Sequence, residues 1–178
     1  MNNPIQWGPP FNDHFGNGMV YRQFAAGNKI FAVGFEEIQT MHDLMRKGIS
    51  ILTVNPAFRF PETGVWAVIF DEIDLKTLDF NAFRHVMHSG VAGGRVLFNV
   101  ASIILEHYSI SNAGAYVFSA ASDPTGLRKT DLVDLYSRAL GVDGYPGSKL
   151  FHDLFPGWQA YSDVATGGRG YVVTTERY

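Results

Sequence analysis

The chain contains no cysteine, which excludes a disulfide framework, a thiolate zinc site and a cysteine nucleophile, and points to a reducing compartment. Positive charge is sparse as well. The 14 Lys and Arg are scattered without a run, so nucleic acid, which needs a concentrated basic footprint, is not an expected partner. No uninterrupted apolar run is long enough to cross a bilayer, and the opening residues MNNPIQWGPPFNDHFGNG have neither the basic nor the apolar segment of a secretory leader. The expectation is a cytoplasmic protein without a membrane partner. Several catalytic signatures are also missing: no GxSxG elbow, no GxxxxGK[ST] phosphate loop and no HExxH helix occurs. Hydrolase, NTPase and metalloprotease readings therefore have no motif behind them.

What the chain does have is material for a core. Apolar residues make up 46%, with 14 Phe and 8 Tyr, and the net charge is only -3, a composition that folds. A length of 178 residues suits one ordinary domain. Residues 1–18 combine Pro, Gly and Asn with isolated Trp7, Phe11 and Phe15 and are expected to form an irregular arm pinned by its aromatics. The rest, residues 19–178, has no internal repeat and no low-complexity linker, which predicts a single α+β domain with a central mixed β-sheet and helices packed on it.

The organising stretch is residues 90–121, GVAGGRVLFNVASIILEHYSISNAGAYVFSAA: a glycine-rich turn, a long apolar helix and a strand. Polar positions in the helix are confined to a stripe at Asn99, Ser102 and Glu106, which predicts a helix largely surrounded by protein. Upstream, MVYRQFAA and KIFAVGFEEI flank Gly27-Asn28 and predict a hairpin. In its second strand Phe31, Val33, Phe35 and Glu37 alternate with Ile30, Ala32, Gly34 and Glu36, placing the apolar set mainly on the former face. Thr40 is a candidate cap for a short helix closed by Gly48; ISILTVNPAF reads as a short strand, and residues 65–73, VWAVIFDEI, as a clear one. Asp79 is a candidate cap for NAFRHVMH. After the strand AGAYVFSAA and the loop SDPTG, a helix from about residue 130 to 140 puts Leu132, Leu135, Tyr136, Ala139 and Leu140 on one face and Asp131, Asp134, Ser137 and Arg138 on the other, and Gly141 stops it. The remainder reads as Gly/Pro-rich loops with one last strand, YVVTTERY.

This order of elements, over residues 20–140, resembles the GNAT superfamily of acyl-CoA N-acyltransferases, and more closely the phage-encoded GNAT-like proteins. The segments that carry the resemblance are the YRQF…NKIFAVGF hairpin, VWAVIFDEI, the glycine turn, VLFNVASIILEHY, YVFSAA and LYSRAL. The resemblance implies a GNAT-like fold and transfer of an acetyl group from acetyl-CoA to an amine of a protein or small molecule. It implies that main-chain N–H groups of Gly90, Val91, Ala92, Gly93, Gly94 and Arg95 take the CoA pyrophosphate at a helix N-terminus, with Arg95 adding a charge-assisted contact. The family pattern is Arg or Gln, two variable residues, Gly, one variable residue, then Gly or Ala. With Gly93 as the fixed glycine, Gly90 stands where Arg or Gln belongs and Arg95 where a small residue belongs. The same residues also read as a plain turn before a helix.

By the same resemblance Tyr136 is the candidate acid for the departing thiolate, because a phenol ordinarily titrates above a thiol; as a member of an apolar face it reads equally as a packing residue. Among Glu36, Glu37, Asp71 and Glu72, carboxylates at strand ends, Glu72 is the candidate base, set against solvated acids with no role. His85 and His88, three apart, with His107 further on, raise a metal site by spacing alone, yet no adjacent carboxylate completes a motif and no metal is expected. The competing functional class is a non-catalytic GNAT-like module that engages a host protein or a virion component, in the host cytoplasm if phage-encoded.

Overall fold

The structure is a computed structural model that describes residues 6–7, 11–12, 18–47, 50–74, 76–77, 79–80, 91–122, 131–147 and 149–178. It is an α+β protein whose chain forms two compact units, residues 1–36 with 68–107 and residues 37–67 with 108–178.

The first unit is built on a hairpin. Strands β2, Val20–Ala26, and β3, Lys29–Ile38, pair antiparallel from Val20↔Phe35 to Ala26↔Lys29. Gly27 makes the turn with a φ of 65°, a value that costs a residue without Cβ nothing. The expected arm contributes sheet as well: β1, Gln6–Trp7, pairs with Ala25 and Phe24 of β2, and Asn12 bridges Tyr21. Strand β3 neighbours β4, Val65–Asp74, which in turn pairs antiparallel with β5, Asp79–Phe80, through Ile73↔Phe80 and Asp74↔Asp79. Asp79 thus lies in a strand, where the sequence suggested a helix cap; residues 81–88 of the suggested helix lie outside the described residues.

Both faces of β3 are covered, not one. Phe31, Ala32, Val33 and Phe35 are all at or below 4% exposure, so alternation of residue type underestimated burial in a strand with neighbours on two faces. Met19, Tyr21, Ala32 and Ile73 form one apolar cluster, supported by Ile30 and Ile69. Gly34, opposite Tyr21, is required by this packing: a Cβ there would lie 2.7 Å from Tyr21 Cε1. Phe24, Phe31 and Phe70 stack in series, with centroids 5.4 and 5.7 Å apart.

The long helix α3, Val91–Ser111, begins earlier than the glycine pattern suggested. Its polar positions also behave otherwise. Val96, Asn99, Ile103 and His107 are buried, whereas Phe98 is 47% and Ile110 66% exposed. Asn99 is tolerated inside because its Nδ2 donates to Arg95 O at 2.8 Å, and Ser102 Oγ likewise bonds back to Phe98 O.

The second unit carries a mixed sheet. The first residues of β4 pair parallel with β6, Ala115–Ser119; β8, Gly170–Thr174, pairs antiparallel with β6, and β7, Gln159–Ser162, antiparallel with β8. Helix α1, Met41–Arg46, is capped by Thr40, whose side chain accepts from Asp43 N at 3.1 Å, as expected. ISILTV is helical, not extended: α2, Ile51–Val54, makes one turn closed by Asn55 N donating to Ile51 O at 2.8 Å. The reason is its i, i+3 spacing, which sends Ile51 and Val54 together into a core of Ile38, Leu44, Phe58, Val65, Ala67, Ala115, Val117 and Val172. Helix α4, Leu132–Leu140, starts at the Asp131 cap and ends at Gly141, which has a φ of 71°. Further short elements arise where loops were expected, among them α5, Lys149–Leu154, and β7. Phe151, Phe155 and Trp158, all buried, hold this region through contacts of 5.4 and 4.6 Å between centroids.

Candidate functional site

Gly90 lies outside the described residues; Val91, Ala92, Gly93, Gly94 and Arg95 form the first turn of α3. They are helix, not a preceding loop. In such a turn the N–H groups of Val91, Ala92 and Gly93 have no intrahelical acceptor, while those of Gly94 and Arg95 enter the ladder. No acidic residue occupies this turn, and Arg95 is exposed, so the positive end of the macrodipole is not neutralised from within it. The arrangement is suited to an anion.

Glu72, in the first unit, is 13% exposed at its side chain, and its Oε2 accepts from Lys29 Nζ at 2.9 Å. The neighbouring Asp71 is 5% exposed and its Oδ1 accepts Glu72 N at 2.7 Å. A strand-end position did not make Asp71 a solvated acid, because the alternation that buries Val65, Ala67 and Ile73 of β4 carries it inward too. Glu36 is half-buried and Glu37 exposed.

His107, considered among the histidines at metal spacing, is 1% exposed and lies flat on Phe35, with centroids 3.9 Å apart and planes 3° from parallel. Phe11 meets both rings edge-on at 5.6 and 5.5 Å. Burial lowers the imidazole pKa to about 4, so the ring is neutral near pH 7 and packs as an aromatic. His85 and His88 lie outside the described residues. Among the described residues no group of three or more His, Asp or Glu side chains is placed to hold a metal ion, and no helix is long and apolar enough to cross a membrane.

Tyr136 belongs to the second unit. It is half-buried on α4 and presents an edge to two rings, Phe118 at 5.7 Å and Tyr171 at 5.9 Å, with interplanar angles of 87° and 84°. Phe118 and Tyr171 are themselves a cross-strand pair of β6 and β8, stacked at 5.2 Å.

The residue after it departs from expectation. Ser137, assigned by helical spacing to the polar face, is 1% exposed. Its Oγ donates to Asp143 Oδ2 at 2.6 Å and lies 2.8 Å from Tyr171 OH. Ser162 Oγ donates to the other Asp143 oxygen, and Tyr171 OH also reaches Val133 O at 3.1 Å. Asp143 is placed by the helix end. Gly141 turns the chain back, Val142 N donates to Ser137 O at 3.0 Å, and Asp143 adopts a φ of 57°, a left-handed value that Asp accepts more readily than most residues. A Gly-x-Asp-Gly run just past the helix was the available sequence signal for this return.

A second polar cluster spans the end of β6 and the start of α4. Arg169 donates from Nε to Ala120 O at 2.6 Å, from Nη2 to Ala121 O at 2.8 Å, and from Nη1 and Nη2 to the two oxygens of Asp131 at 3.2 and 2.6 Å. This forked use of one guanidinium ties the strand end to the cap of α4.

The structure therefore puts the α3 start and Glu72 in the first unit and Tyr136 in the second. Comparison with protein-family models, with curated proteins and with solved structures finds no match to this chain.

Proposed function

We propose that the chain is a GNAT-like N-acetyltransferase that moves the acetyl group of acetyl-CoA to an amine of a protein or small molecule. What supports the reading is the crossover from β4 through α3 to β6. A 21-residue helix joins two parallel strands whose register comprises only Val65↔Ala115, Trp66↔Tyr116 and Ala67↔Val117, and β8 and β7 then add antiparallel beyond β6. In this reading the N–H groups of residues 90–93 and the Arg95 side chain bind the CoA phosphates, Tyr136 protonates the departing thiolate and Glu72 is the base. When the amine attacks the thioester carbonyl, the new C–N bond forms as the C–S bond breaks; the thiolate gains the phenol proton and the amine loses one to a carboxylate.

Calorimetric titration with acetyl-CoA, beside a thermal-shift control with free adenine nucleotide, tests this. Saturable, CoA-selective binding with a rise in melting temperature is expected. Arg95→Glu should weaken binding roughly tenfold by setting negative charge against the phosphates, and unchanged affinity removes residues 90–95 from the assignment. No binding at millimolar acetyl-CoA overturns the acetyltransferase reading. One observation favours the second reading, a non-catalytic module for a host protein or virion component: Phe98, 47% exposed, lies three residues beyond Arg95 on α3.

A further inference from the structure

We infer that Tyr171, Ser137, Asp143 and Ser162 form a positioning device that holds α4 in one orientation and thereby aims Tyr136, an inference that rests on the acetyltransferase reading for its catalytic consequence. The argument begins with proton counting. A serine hydroxyl has one proton. In Ser137 it goes to Asp143 Oδ2, 2.6 Å away, since an ionised carboxylate only accepts. Tyr171 must then be the donor in its 2.8 Å contact with Ser137, sharing its proton with Val133 O at 3.1 Å. Burial, with the nearby Asp143 charge adding to it, holds the Tyr171 phenol above its ordinary value. The phenol stays protonated and the direction of the chain is set.

Tyr171 therefore grips α4 twice. Its hydroxyl is bonded to Ser137, and its ring, stacked on Phe118, receives the edge of Tyr136. Asp143 closes the other side: its two oxygens accept Ser137 of α4 and Ser162 of β7. Rotation of α4 about its axis would break the Ser137 bonds and lift Tyr136 off both rings in one movement. A helix held by van der Waals contacts alone has no such directional restraint. The device costs the burial of the Ser137 hydroxyl, which a purely packed helix does not need.

The test uses the full chain with Ser137→Ala and Tyr171→Phe, the latter keeping the ring against Tyr136 while removing the hydroxyl. Thiol release from acetyl-CoA with a lysine tripeptide as amine gives a clean readout, because the protein has no thiol of its own. Each variant should lose roughly tenfold in kcat with KM for acetyl-CoA unchanged. Neither should lower activity further in a Tyr136→Phe background, because Ser137 and Tyr171 act through Tyr136. A further tenfold loss in that background overturns the inference. Orientation is read separately from the 19F spectrum of 3-fluorotyrosine placed at position 136: one resonance in the parent, and shifted or multiple resonances in either variant. An unchanged spectrum overturns the positioning role. If the parent releases no thiol and binds no acetyl-CoA, the acetyltransferase reading fails, while the 19F result still decides whether the device aims residue 136. Should Ser137→Ala fail to fold, Tyr171→Phe carries both measurements.

Discussion

In the first unit the polar groups withdrawn from water are mostly ionisable. Arg22 meets Glu106 at 2.7 Å, Lys29 meets Glu72 at 2.9 Å, and His107 is pressed against Phe35 as a neutral ring. In the second, the withdrawn polarity is mostly hydroxyl: Ser137 and Tyr171 are buried around the Asp143 carboxylate, and Thr175 Oγ1 donates to Ala113 O at 2.6 Å. The difference has consequences. Charge pairs respond to salt and a buried imidazole to pH, whereas the hydroxyl network depends above all on every member being present.

The largest effect should come from the apolar core of the second unit, which no polar device replaces. Phe58→Ala, at a position 1% exposed, is expected to cost about 3–5 kcal/mol in denaturant unfolding, the same at low and high salt. A salt-dependent loss would break the contrast between the units. Next comes pH. The folded pKa of His107 is about 4 against 6.5 in the unfolded chain, so between these values the unfolded chain binds a proton that the folded one does not. Its contribution is fully present above pH 6.5 and is lost as pH falls toward 4, amounting to a decrease on the order of 2 kcal/mol at pH 5. His107→Phe should flatten this part of the stability profile, measured by urea unfolding at pH 7.5 and 5; an unaltered slope would assign the acid sensitivity elsewhere.

Ser137→Ala should cost about 1–3 kcal/mol, since it deprives Asp143 and Tyr171 of a buried partner at once. Pairing it with Tyr171→Phe sharpens the comparison: the double variant should lose less than the sum of the singles, and strict additivity would mean the two hydroxyls are energetically independent. Smallest is Arg22→Met. With side-chain exposures of 12% and 38%, the Arg22–Glu106 pair is screened on the glutamate side, and a loss of about 1 kcal/mol is expected. That loss should shrink in high salt, and a salt-independent value would count against the ion pair as its source.

Elements whose cause is local are legible in the sequence alone. Gly27-Asn28 between two β-rich runs marked the hairpin, Thr40 marked the start of α1, and Gly141 marked the end of α4. The candidate site was legible only in part. Periodicity places Tyr136 on α4, but the same helical spacing puts Ser137 on the polar face, and its partners lie in other segments, Tyr171 being 34 residues away. Asn99 departs from expectation for the same reason, being buried despite its polarity. Helix α2 and strand β7 are too short for periodicity to decide, and each takes its conformation from what it packs or pairs with: α2 from the core around Phe58, β7 from β8.

By itself the sequence determined the α+β character, the hairpin, the long helix between two strands and the caps of α1 and α4. These follow from steric preferences and hydrogen bonds within a few residues. Only tertiary structure decided which polar side chains go inside, how Asp143 is brought back to Ser137, and why Tyr136 rests on the Phe118–Tyr171 stack. Those outcomes depend on partners supplied by distant segments, since a buried polar group is tolerable only where its hydrogen bonds are met.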